Sequence, residues 1–371
     1  MELKKALGNS PGMTGVVKIK QFEASELDAL LSFLRVAYPG EPLKSDSTFW
    51  KWHFLENPYV SLDDIPLWIV RSGDKIVGQV ASIPVDLKVG EEVRRALWTV
   101  DYTLLPEYRP GGVGIYLLEA GRSYCKTLLS LGYNENSSTV MSFLKWKPLG
   151  SINRYQMLLF PGHAAREISR LAPARHLANL MYAPFRPDLR QLLPAENGVL
   201  RAVTTFDSSF DELWLDASPR WPCAVVRNSR FLEWQFMRQP GKKYDVLGYY
   251  KDDRLSGYIV LFFRRPEDGE ASPKAAISDL CYGKENPEEV IDSLFVGALR
   301  LAIERRAGSL VADVLDEFVE KRLRRFGFRR IKASPAFAAK TVERQALIYE
   351  QSNWFLTRGD SDVSIFEEPN L

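Results

Sequence analysis

Hydrophobic and polar positions along the first part of the chain follow two periods, one typical of helices and one typical of strands. Residues 25–38 (SELDALLSFLRVAY) place apolar side chains at helical spacing behind Ser25, a good N-cap residue. Residues 67–105 alternate apolar and polar positions, and the turn sequences SGDK and VGEE interrupt the alternation twice. We therefore predict a helix followed by three antiparallel strands.

The apolar spacing after this meander predicts three further elements. Residues 113–131 (VGIYLLEAGRSYCKTLLSL) keep a helical period, so we predict one helix that ends at Gly132. The next apolar run, SSTVMSFL at residues 137–144, predicts a short strand. Residues 161–195 are rich in Arg and Ala, have a helical period and contain prolines. They predict a helical connector whose arginines face solvent or an acidic partner.

The pattern recurs in the second half of the chain. FWKWHFLENP, which starts at residue 49, and FLEWQFMRQP, which starts at residue 231, share Phe, Trp, Phe and Pro at identical spacings. Further along, Asp101 matches Asp279 at almost the same offset. A nearly constant offset indicates two tandem copies of one fold, and the shared order of helices and hairpins predicts an α/β domain with a mixed sheet.

The repeated aromatic segment permits two interpretations. Its Trp and Phe side chains suit stacking on a sugar ring, and His53 within it suits a catalytic base. Recurrence in both copies at helical spacing favours core packing instead. We therefore expect these side chains, His53 included, to be structural.

Composition and charge limit the classes of protein that this chain represents. Its 371 residues suggest two or three domains, and 46% hydrophobic and 26% charged residues are typical of globular proteins. The formal net charge of +2 gives no general attraction to nucleic acid or membrane surfaces. No run reaches the roughly 20 apolar residues of a membrane helix, and the N-terminus lacks the apolar core of a signal peptide. We expect a cytoplasmic protein.

Cysteine and histidine usage does not indicate a metal centre or a disulfide framework. The three cysteines, Cys125, Cys223 and Cys281, are far apart and form no CxxC, which favours a reducing compartment. The three histidines form no zinc-binding motif, and no GxSxG elbow is present. We therefore expect no metal.

The strongest candidate for chemistry is the loop YRPGGVG, residues 108–114, between the last strand of the meander and the next helix. Glycines permit positive φ and a close approach of the backbone to a ligand, and a helix start offers N–H groups to an anion. Arg109 adds a positive charge beside them. A Walker loop does not fit because no Lys-Ser or Lys-Thr follows, and a dinucleotide fingerprint does not fit after antiparallel hairpins. The alternative is a packed turn without a ligand.

This loop, in its strand-to-helix setting, resembles motif A of the GCN5-related N-acetyltransferases, the GNAT superfamily. The family signature [Q/R]xxGx[G/A] corresponds to Arg109, Gly112 and Gly114, and the order of elements through residue 160 also matches. The resemblance implies that acetyl-CoA binds with its pyrophosphate at the helix start. The cofactor-binding residues that it implies are Leu104, Leu105, Arg109, Pro110, Gly111, Gly112, Val113 and Gly114.

The resemblance also implies a mechanism in which an acceptor amine attacks the thioester directly. The backbone of Leu104 and Leu105 would then donate to the thioester oxygen. A base must deprotonate the amine, and Asp101 is our first candidate, followed by Glu107. The alternative for Asp101 is a structural pairing within the meander, which its match to Asp279 favours.

One departure from the family concerns the tyrosine that usually protonates the departing thiolate. The corresponding region reads SSTVMSFLKW and contains no tyrosine. Tyr133 and Tyr155 are near in sequence but lie off the family pattern. A water molecule is the alternative proton donor.

The second copy lacks the chemistry of the loop. Gly283 remains, but the arginine and the GxG are missing, and Glu285, Glu288 and Glu289 stand where phosphates would lie. Because like charges repel, we predict that this copy does not bind acetyl-CoA. We expect it to shape the acceptor side of a cleft or to stabilise the pair.

The predicted architecture is two tandem GNAT-like domains of α/β (α+β) class, each a mixed, mostly antiparallel twisted sheet flanked by helices. The predicted boundaries are a flexible leader at 1–15, the CoA-binding domain at 16–160, a helical connector at 161–198 and the degenerate domain at 199–371.

The predicted function is acetyl-CoA-dependent transfer of an acyl group to an amine, such as an amino sugar or a small metabolite. The tail NWFLTRGDSDVSIF resembles acetyltransferase-like proteins of bacterial polysaccharide clusters, which suggests the amino sugar. Alternatives are a non-catalytic acyl-CoA-binding or scaffolding module and a Fem-like aminoacyl transferase. The intact CoA-type loop and the lack of a long basic arm argue against the Fem-like alternative. A homodimer is compatible with the sequence, which leaves the oligomeric state open, and we expect no nucleic-acid partner.

Overall fold

The computed structural model describes residues 2–3, 17–160, 177, 180–181, 198–265, 273–331 and 335–366. The chain folds into two units. Unit 1 comprises residues 1–150, 238–241 and 336–351, and unit 2 comprises residues 151–237, 242–335 and 352–371. The predicted leader and helical connector lie almost wholly outside the described residues. The predicted domain boundaries stay a prediction.

Helices and strands follow one another closely along the described chain. The strands are β1 (Glu2–Leu3), β2 (Val17–Gln21), β3 (Leu67–Ser72), β4 (Lys75–Val89), β5 (Glu92–Leu104), β6 (Thr127–Leu131), β7 (Lys147–Ser151), β8 (Asn153–Leu158), β9 (Val199–Val203), β10 (Cys223–Val225), β11 (Tyr244–Lys251), β12 (Arg254–Arg264), β13 (Lys274–Tyr282), β14 (Ser309–Leu315), β15 (Arg329–Ile331), β16 (Ala336–Thr341) and β17 (Trp354–Thr357). The helices are α1 (Leu27–Ala37), α2 (Ser47–Phe54), α3 (Val113–Ala120), α4 (Glu135–Phe143), α5 (Ser208–Ala217), α6 (Ser229–Leu232), α7 (Pro287–Glu304), α8 (Glu317–Arg325), α9 (Gln345–Ile348) and α10 (Val363–Phe366).

Unit 1 is built on a mixed sheet in which the strands follow the order β2-β3-β4-β5-β6-β16. Neighbouring strands from β2 to β5 are antiparallel, β5 and β6 are parallel, and β6 and β16 are antiparallel. Helix α1, the meander and the mixed, mostly antiparallel sheet confirm the sequence-based predictions. The fold therefore belongs to the mixed α/β class, with helices flanking a mixed sheet.

A β-bulge interrupts the pairing of β4 with β5. The register shifts between Gln79 and Ala81, so that β5 carries one more residue than β4 at this point. Asp101 lies in the bulge and has a φ of 48°, a left-handed conformation that a non-glycine residue adopts at an energetic cost. The bulge therefore turns the end of β5 away from a regular ladder.

Strands β5 and β6 also diverge. The described pairs between them are Leu97 with Leu128 and Trp98 with Leu129, after which β5 continues to Leu104. Parallel neighbours that separate in this way leave a gap between their carboxyl ends. This gap is the structural setting of the candidate site.

Two elements after β5 differ from the predictions. The predicted helix at 113–131 is instead α3, a short 3-10 turn and the buried strand β6. The run TLLSL is apolar enough for either a buried helix or a buried strand, and here it pairs on both edges. The predicted strand at 137–144 is instead helix α4, because Asn134 caps it by accepting from the Ser137 N–H at 3.0 Å.

The repeated aromatic segments lie in helices and are buried. Trp52 and Phe54 belong to α2, whereas Trp234 and Phe236 belong to a π-helical turn, Glu233–Met237, that continues α6. Core packing of these side chains is confirmed. The aromatic segment therefore supplies packing rather than a sugar-binding platform.

Unit 2 presents the same order of elements. After α5 and α6 come the hairpin β11–β12, strand β13, helix α7, strand β14 and helix α8. A bulge again falls on the last strand of the meander, because the register of β12 with β13 shifts between Val260 and Leu261. The parallel pairing of β13 with β14 ends at Ile277 and Ala312, and β14 then pairs with β17.

Candidate active site

A cavity of about 650 Å³ opens in unit 1 at the gap between β5 and β6. Its walls are the end of α1, the end of β5, the glycine loop, and the first turns of α3 and α4. The lining residues are Ala37, Tyr38, Tyr102, Thr103, Leu104, Arg109, Gly112, Gly114, Ile115, Asn134, Asn136, Ser137, Thr139 and Val140. The structure thus brings the predicted loop and the end of β5 together in one cavity.

The glycines of the loop meet two different structural requirements. Gly111 and Gly112 have φ values of 89° and 78°, and Gly112 is the N-cap residue of α3. At Gly114 the requirement is space, since a Cβ there would lie 2.3 Å from the Tyr102 hydroxyl oxygen. The first N–H groups of a helix have no acceptor within it. The loop therefore presents the start of α3 to the cavity, where these N–H groups can donate to an anion.

Arg109 lies at the wall of the cavity, where the sequence predicted a phosphate contact. Its Nε donates to the Leu104 carbonyl at 3.1 Å, which holds the side chain across the end of β5. This bond uses one of the five N–H donors of the guanidinium group. Glu107 lies in the exposed 3-10 turn Pro106–Tyr108 and does not line the cavity.

The two predicted backbone donors lie in different settings. The N–H of Leu105 donates to the Val77 carbonyl at 2.9 Å and is therefore engaged in the sheet. Successive N–H groups along a strand point to opposite edges. The N–H of Leu104 consequently faces the edge away from β4, and Leu104 lines the cavity.

Asp101 forms a buried ion pair with Lys44, a residue that the sequence analysis did not single out. Lys44 Nζ donates to Asp101 Oδ1, and the two side chains are 9% and 5% exposed. The ammonium group also lies 4.8 Å from the ring centroid of Tyr38, which lines the cavity. The pair thus connects the bulge to the cavity wall through Tyr38.

His53 lies close enough to this pair for both charges to affect its protonation. Burial lowers the pKa of His53 to about 3, an effect that Lys44 increases and Asp101 opposes. The ring stacks on Trp52 with 5.4 Å between centroids. His53 is therefore neutral at pH 7 and packed in the core, as predicted.

The tyrosines near the site have distinct environments. Tyr102, at the bulge, lines the cavity, and burial raises its pKa to about 12. Tyr133 packs against the hydrophobic core of unit 1, and burial raises its pKa. Tyr155 belongs to β8 of unit 2 and donates to Glu320 at 2.7 Å. The sequence analysis did not identify Tyr102 as a cavity residue. Its position next to Asp101, in the strand before the glycine loop, could have indicated it.

The bulge of unit 2 carries a buried network of charges. Asp279 accepts from Arg227 at 3.1 Å, from Tyr258 at 2.7 Å and from Thr357 at 2.7 Å. Arg227 also donates to Asp360 at 2.7 Å, and burial raises the pKa of Asp360 to about 6. Asp279 therefore has a structural pairing, as its match Asp101 does.

The acidic residues predicted at the phosphate position of unit 2 lie at the start of α7. Glu288 pairs with Arg322 at 3.1 Å, and Glu289 accepts from the Tyr249 hydroxyl at 2.7 Å. Lys284 and Glu285, just before the helix, are exposed.

The described residues contain neither a cluster of metal ligands nor a disulfide. No group of three or more His, Cys, Asp or Glu side chains is placed there to hold a metal ion. The three cysteines are buried and form no disulfide. Among the described helices, none combines the length and the apolar character that crossing a membrane requires.

Unit 1 combines a mixed sheet with a bulged strand, a parallel pair that diverges beyond the bulge, and a glycine loop at a helix start. Residues 18–133 match the family model described as an acetyltransferase (GNAT) domain. Residues 18–133 therefore form a GNAT domain, and the predicted resemblance is confirmed for this part of the chain. No curated protein matches the sequence.

Solved structures share the fold over most of the chain. A GCN5-related N-acetyltransferase from Anabaena variabilis is 14% identical with a TM-score of 0.61, covering 90% of this chain and 75% of that one. Another, from Kribbella flavida, is 16% identical with a TM-score of 0.62, covering 91% and 74%. N-myristoyltransferase from Saccharomyces cerevisiae, with bound myristoyl-CoA, is 13% identical with a TM-score of 0.58, covering 89% and 84%. At these identities the likeness shows the fold alone.

Proposed function

We propose that this chain is an acetyl-CoA-dependent N-acyltransferase that moves an acyl group to an amine acceptor. The observation that carries the proposal is the cavity at the gap between β5 and β6. It joins Arg109, Gly112 and Gly114 at one wall to the end of the bulged strand at another. An extended pantetheine arm suits this gap, because β5 beyond Trp98 has no strand partner on that edge in the described residues.

Each part of the donor has a matching group in the cavity. The pyrophosphate is held by the N–H groups of Gly112, Val113 and Gly114, with Arg109 supplying a positive charge. The N–H of Leu104 faces the gap and donates to the bound donor. The N–H of Leu105 does not contact the donor in this proposal, because it is bonded to the Val77 carbonyl within the sheet.

For deprotonation of the acceptor we propose Asp101, whose carboxylate accepts from Lys44 in the free protein. The ammonium of Lys44 lies where an acceptor ammonium would have to approach Asp101. An acceptor amine therefore displaces Lys44 on binding, after which Asp101 takes the proton and the neutral nitrogen attacks the thioester. Tyr102 lines the cavity and its hydroxyl is protonated at pH 7, so we propose that it protonates the departing thiolate.

Titration calorimetry with acetyl-CoA tests the donor site. Gly112→Glu should abolish binding, because it places a carboxylate at the phosphate position. The matched control is Gly73→Glu, since Gly73 also has positive φ, 58°, and lies in the turn between β3 and β4 with open space around it. Binding to wild type and to Gly73→Glu but not to Gly112→Glu supports the proposal. Equal affinity in all three would refute it.

The burial of Asp101 behind Lys44 favours a second candidate, a non-catalytic acyl-CoA-binding module. The two functions differ in a thiol-release assay with acetyl-CoA and a panel of amines and amino sugars. Acceptor-dependent release of CoA supports the transferase. Tight acetyl-CoA binding without release for any amine in the panel would favour the binding module instead.

The order of elements and the position of the bulge in unit 2 support the proposal that this unit is a second, degenerate copy of the fold. In its counterpart of the glycine loop, Glu288 and Glu289 take the place of phosphate-binding groups. We therefore assign acyl-CoA binding to unit 1. Acceptor identity is the question that the amine panel addresses.

A further inference from the structure

Unit 2 contains a cavity of about 460 Å³ at the position that corresponds to the cavity of unit 1. Its walls come from the same places in the order of elements. Arg220 and Trp221 follow the first helix, Tyr282 ends the bulged strand, and Phe318 lies in the first turn of α8. The fold of unit 2 thus keeps a cavity where unit 1 holds its proposed donor.

The chain itself occupies the part of this region that a pantetheine arm would need. Strand β17 pairs with β14 through Val314 with Thr357 and Leu315 with Leu356, beyond the point where β13 and β14 diverge. The Thr357 hydroxyl then donates to Asp279 at the bulge, at 2.7 Å. The remaining cavity is therefore short and closed at the bulge, which excludes an extended thioester and leaves room for a small molecule.

The walls of the remaining cavity are aromatic. The rings of Tyr282 and Phe318 are stacked, with 5.5 Å between centroids and 22° between planes. Trp221 packs edge-on against Tyr282 at 5.6 Å, and Trp354 lines the cavity from β17. Tyr282, Trp221 and Trp354 are themselves buried, so the half-buried ring of Phe318 is the flat surface that this wall offers to a ligand. A flat apolar surface favours a planar ligand over a branched aliphatic one.

The charges around the cavity are unevenly compensated. Asp316 accepts from the Trp221 ring N–H and from the Val319 backbone N–H, both at 2.8 Å, and Glu317 pairs with Lys321 at 2.8 Å. Arg220 instead lies over the ring of Tyr282, with Cζ 4.2 Å from the centroid. No described carboxylate forms an ion pair with it. The guanidinium of Arg220 also interacts with the Tyr282 hydroxyl, and its remaining N–H donors are available to an anion.

We propose that this cavity binds a small planar aromatic carboxylate, with its ring against Phe318 and its carboxylate on Arg220. An arginine above an aromatic wall suits such a ligand because it offers a paired N–H fork at the edge of a stacking surface. The site is independent of acyl transfer in unit 1. It gives unit 2 a ligand-binding role that its missing glycine loop does not supply.

Calorimetry on the full chain with three probes of related shape shows separately how the ligand's charge and the planarity of its ring affect binding. Indole-3-acetate carries both required features, tryptamine carries the same ring with the opposite charge, and cyclohexylacetate carries the carboxylate without a planar ring. We expect indole-3-acetate to bind measurably and the other two to bind at least tenfold more weakly, because an ionic hydrogen bond contributes about a tenfold factor or more. Equal binding of tryptamine, or no binding of indole-3-acetate, would overturn the proposal.

Variants then locate the bound probe. Arg220→Gln should weaken indole-3-acetate about tenfold. Arg330→Gln, which removes an exposed arginine of β15, should not change it. Phe318→Leu should weaken the probe by removing the stacked ring while keeping an apolar side chain. Acetyl-CoA affinity and the thermal midpoint report whether each variant is folded. Unchanged indole-3-acetate affinity in folded Arg220→Gln would show that the probe binds elsewhere.

Discussion

Asp101 and Lys44 combine an unusual backbone conformation with a buried pair of charges at the edge of the proposed donor site. General-base catalysis contributes roughly 10²- to 10⁴-fold to rate. We therefore expect Asp101→Asn to lower kcat for acetyl transfer by at least about 10²-fold while acetyl-CoA affinity remains. The measurement is the pH profile of kcat together with calorimetry on acetyl-CoA.

The matched comparison for Asp101→Asn is Lys44→Met, which removes the ammonium and keeps the chain length. If Lys44 only holds Asp101, this variant retains a measurable pH-dependent rate. Both variants also lose stability, because breaking a buried ion pair costs about 3–5 kcal/mol. The double variant Lys44→Met/Asp101→Asn removes both charges, so it separates lost stability from lost catalysis. Undiminished turnover in Asp101→Asn would assign Asp101 to structure alone.

Gly114 and Tyr102 form a close contact that a pair of substitutions can test. The added methyl group of Gly114→Ala would meet the Tyr102 hydroxyl at 2.3 Å, so the variant should shift the start of α3 and weaken acetyl-CoA binding. In Gly114→Ala/Tyr102→Phe the nearest remaining ring atom would lie at 3.5 Å, an ordinary contact. Calorimetry should therefore show that the second substitution restores affinity. A double variant as weak as Gly114→Ala would mean that Gly114 acts through something other than Tyr102.

His53 makes stability depend on acidic pH. Its pKa is about 3 in the folded state, whereas the ordinary pKa of histidine is 6.5, so the unfolded state binds more protons between these pH values. Stability is therefore fully present above pH 6.5 and falls as the pH decreases toward 3, by about 2 kcal/mol at pH 5. Urea unfolding of His53→Phe at pH 8 and pH 5 should show a smaller difference than wild type. Equal pH dependence in both proteins would contradict this assignment.

At the scale of elements, the start of α4 forms one wall of the cavity in unit 1. Asn134 caps this helix through the Ser137 N–H, and both residues line the cavity. Asn134→Ala should lower the free energy of unfolding by about 1 kcal/mol. Asn134→Asp keeps a capping oxygen and is the control, so its unfolding midpoint in urea should stay near that of wild type. A midpoint unchanged by Asn134→Ala would show that the cap does not hold the helix.

The elements that sequence reasoning identified correctly are those with a strong local signal. Alternating residues with two hairpin turns predicted the meander, and the spacing of Arg109, Gly112 and Gly114 pointed to a loop that lines the cavity of unit 1. The boundary between α3 and β6 was not predictable in this way, because the run TLLSL is buried on all sides and carries no period. The pairing of Asp101 with Lys44 joins residues 57 positions apart in the sequence, and no local pattern encodes such a contact.

At the scale of the whole molecule, the two units lead us to expect one acetyl-CoA per chain. Unit 1 has an open gap between its diverging parallel strands, whereas the corresponding position in unit 2 is taken by β17. Calorimetric stoichiometry should therefore be one for wild type and zero for Gly112→Glu. A stoichiometry of two, or a site that survives Gly112→Glu, would show that unit 2 also binds the donor.

The composition of the two units has a consequence for how the protein is made. Unit 1 completes its sheet with β16, which pairs with β6 through residues such as Phe337 and Leu131, and unit 2 takes β8 from the first half of the chain. The ribosome therefore synthesises β6 long before β16, and the edge of β6 that pairs with β16 stays unpaired during synthesis. Genetic separation of the halves at the connector would leave each fragment without a strand that it needs.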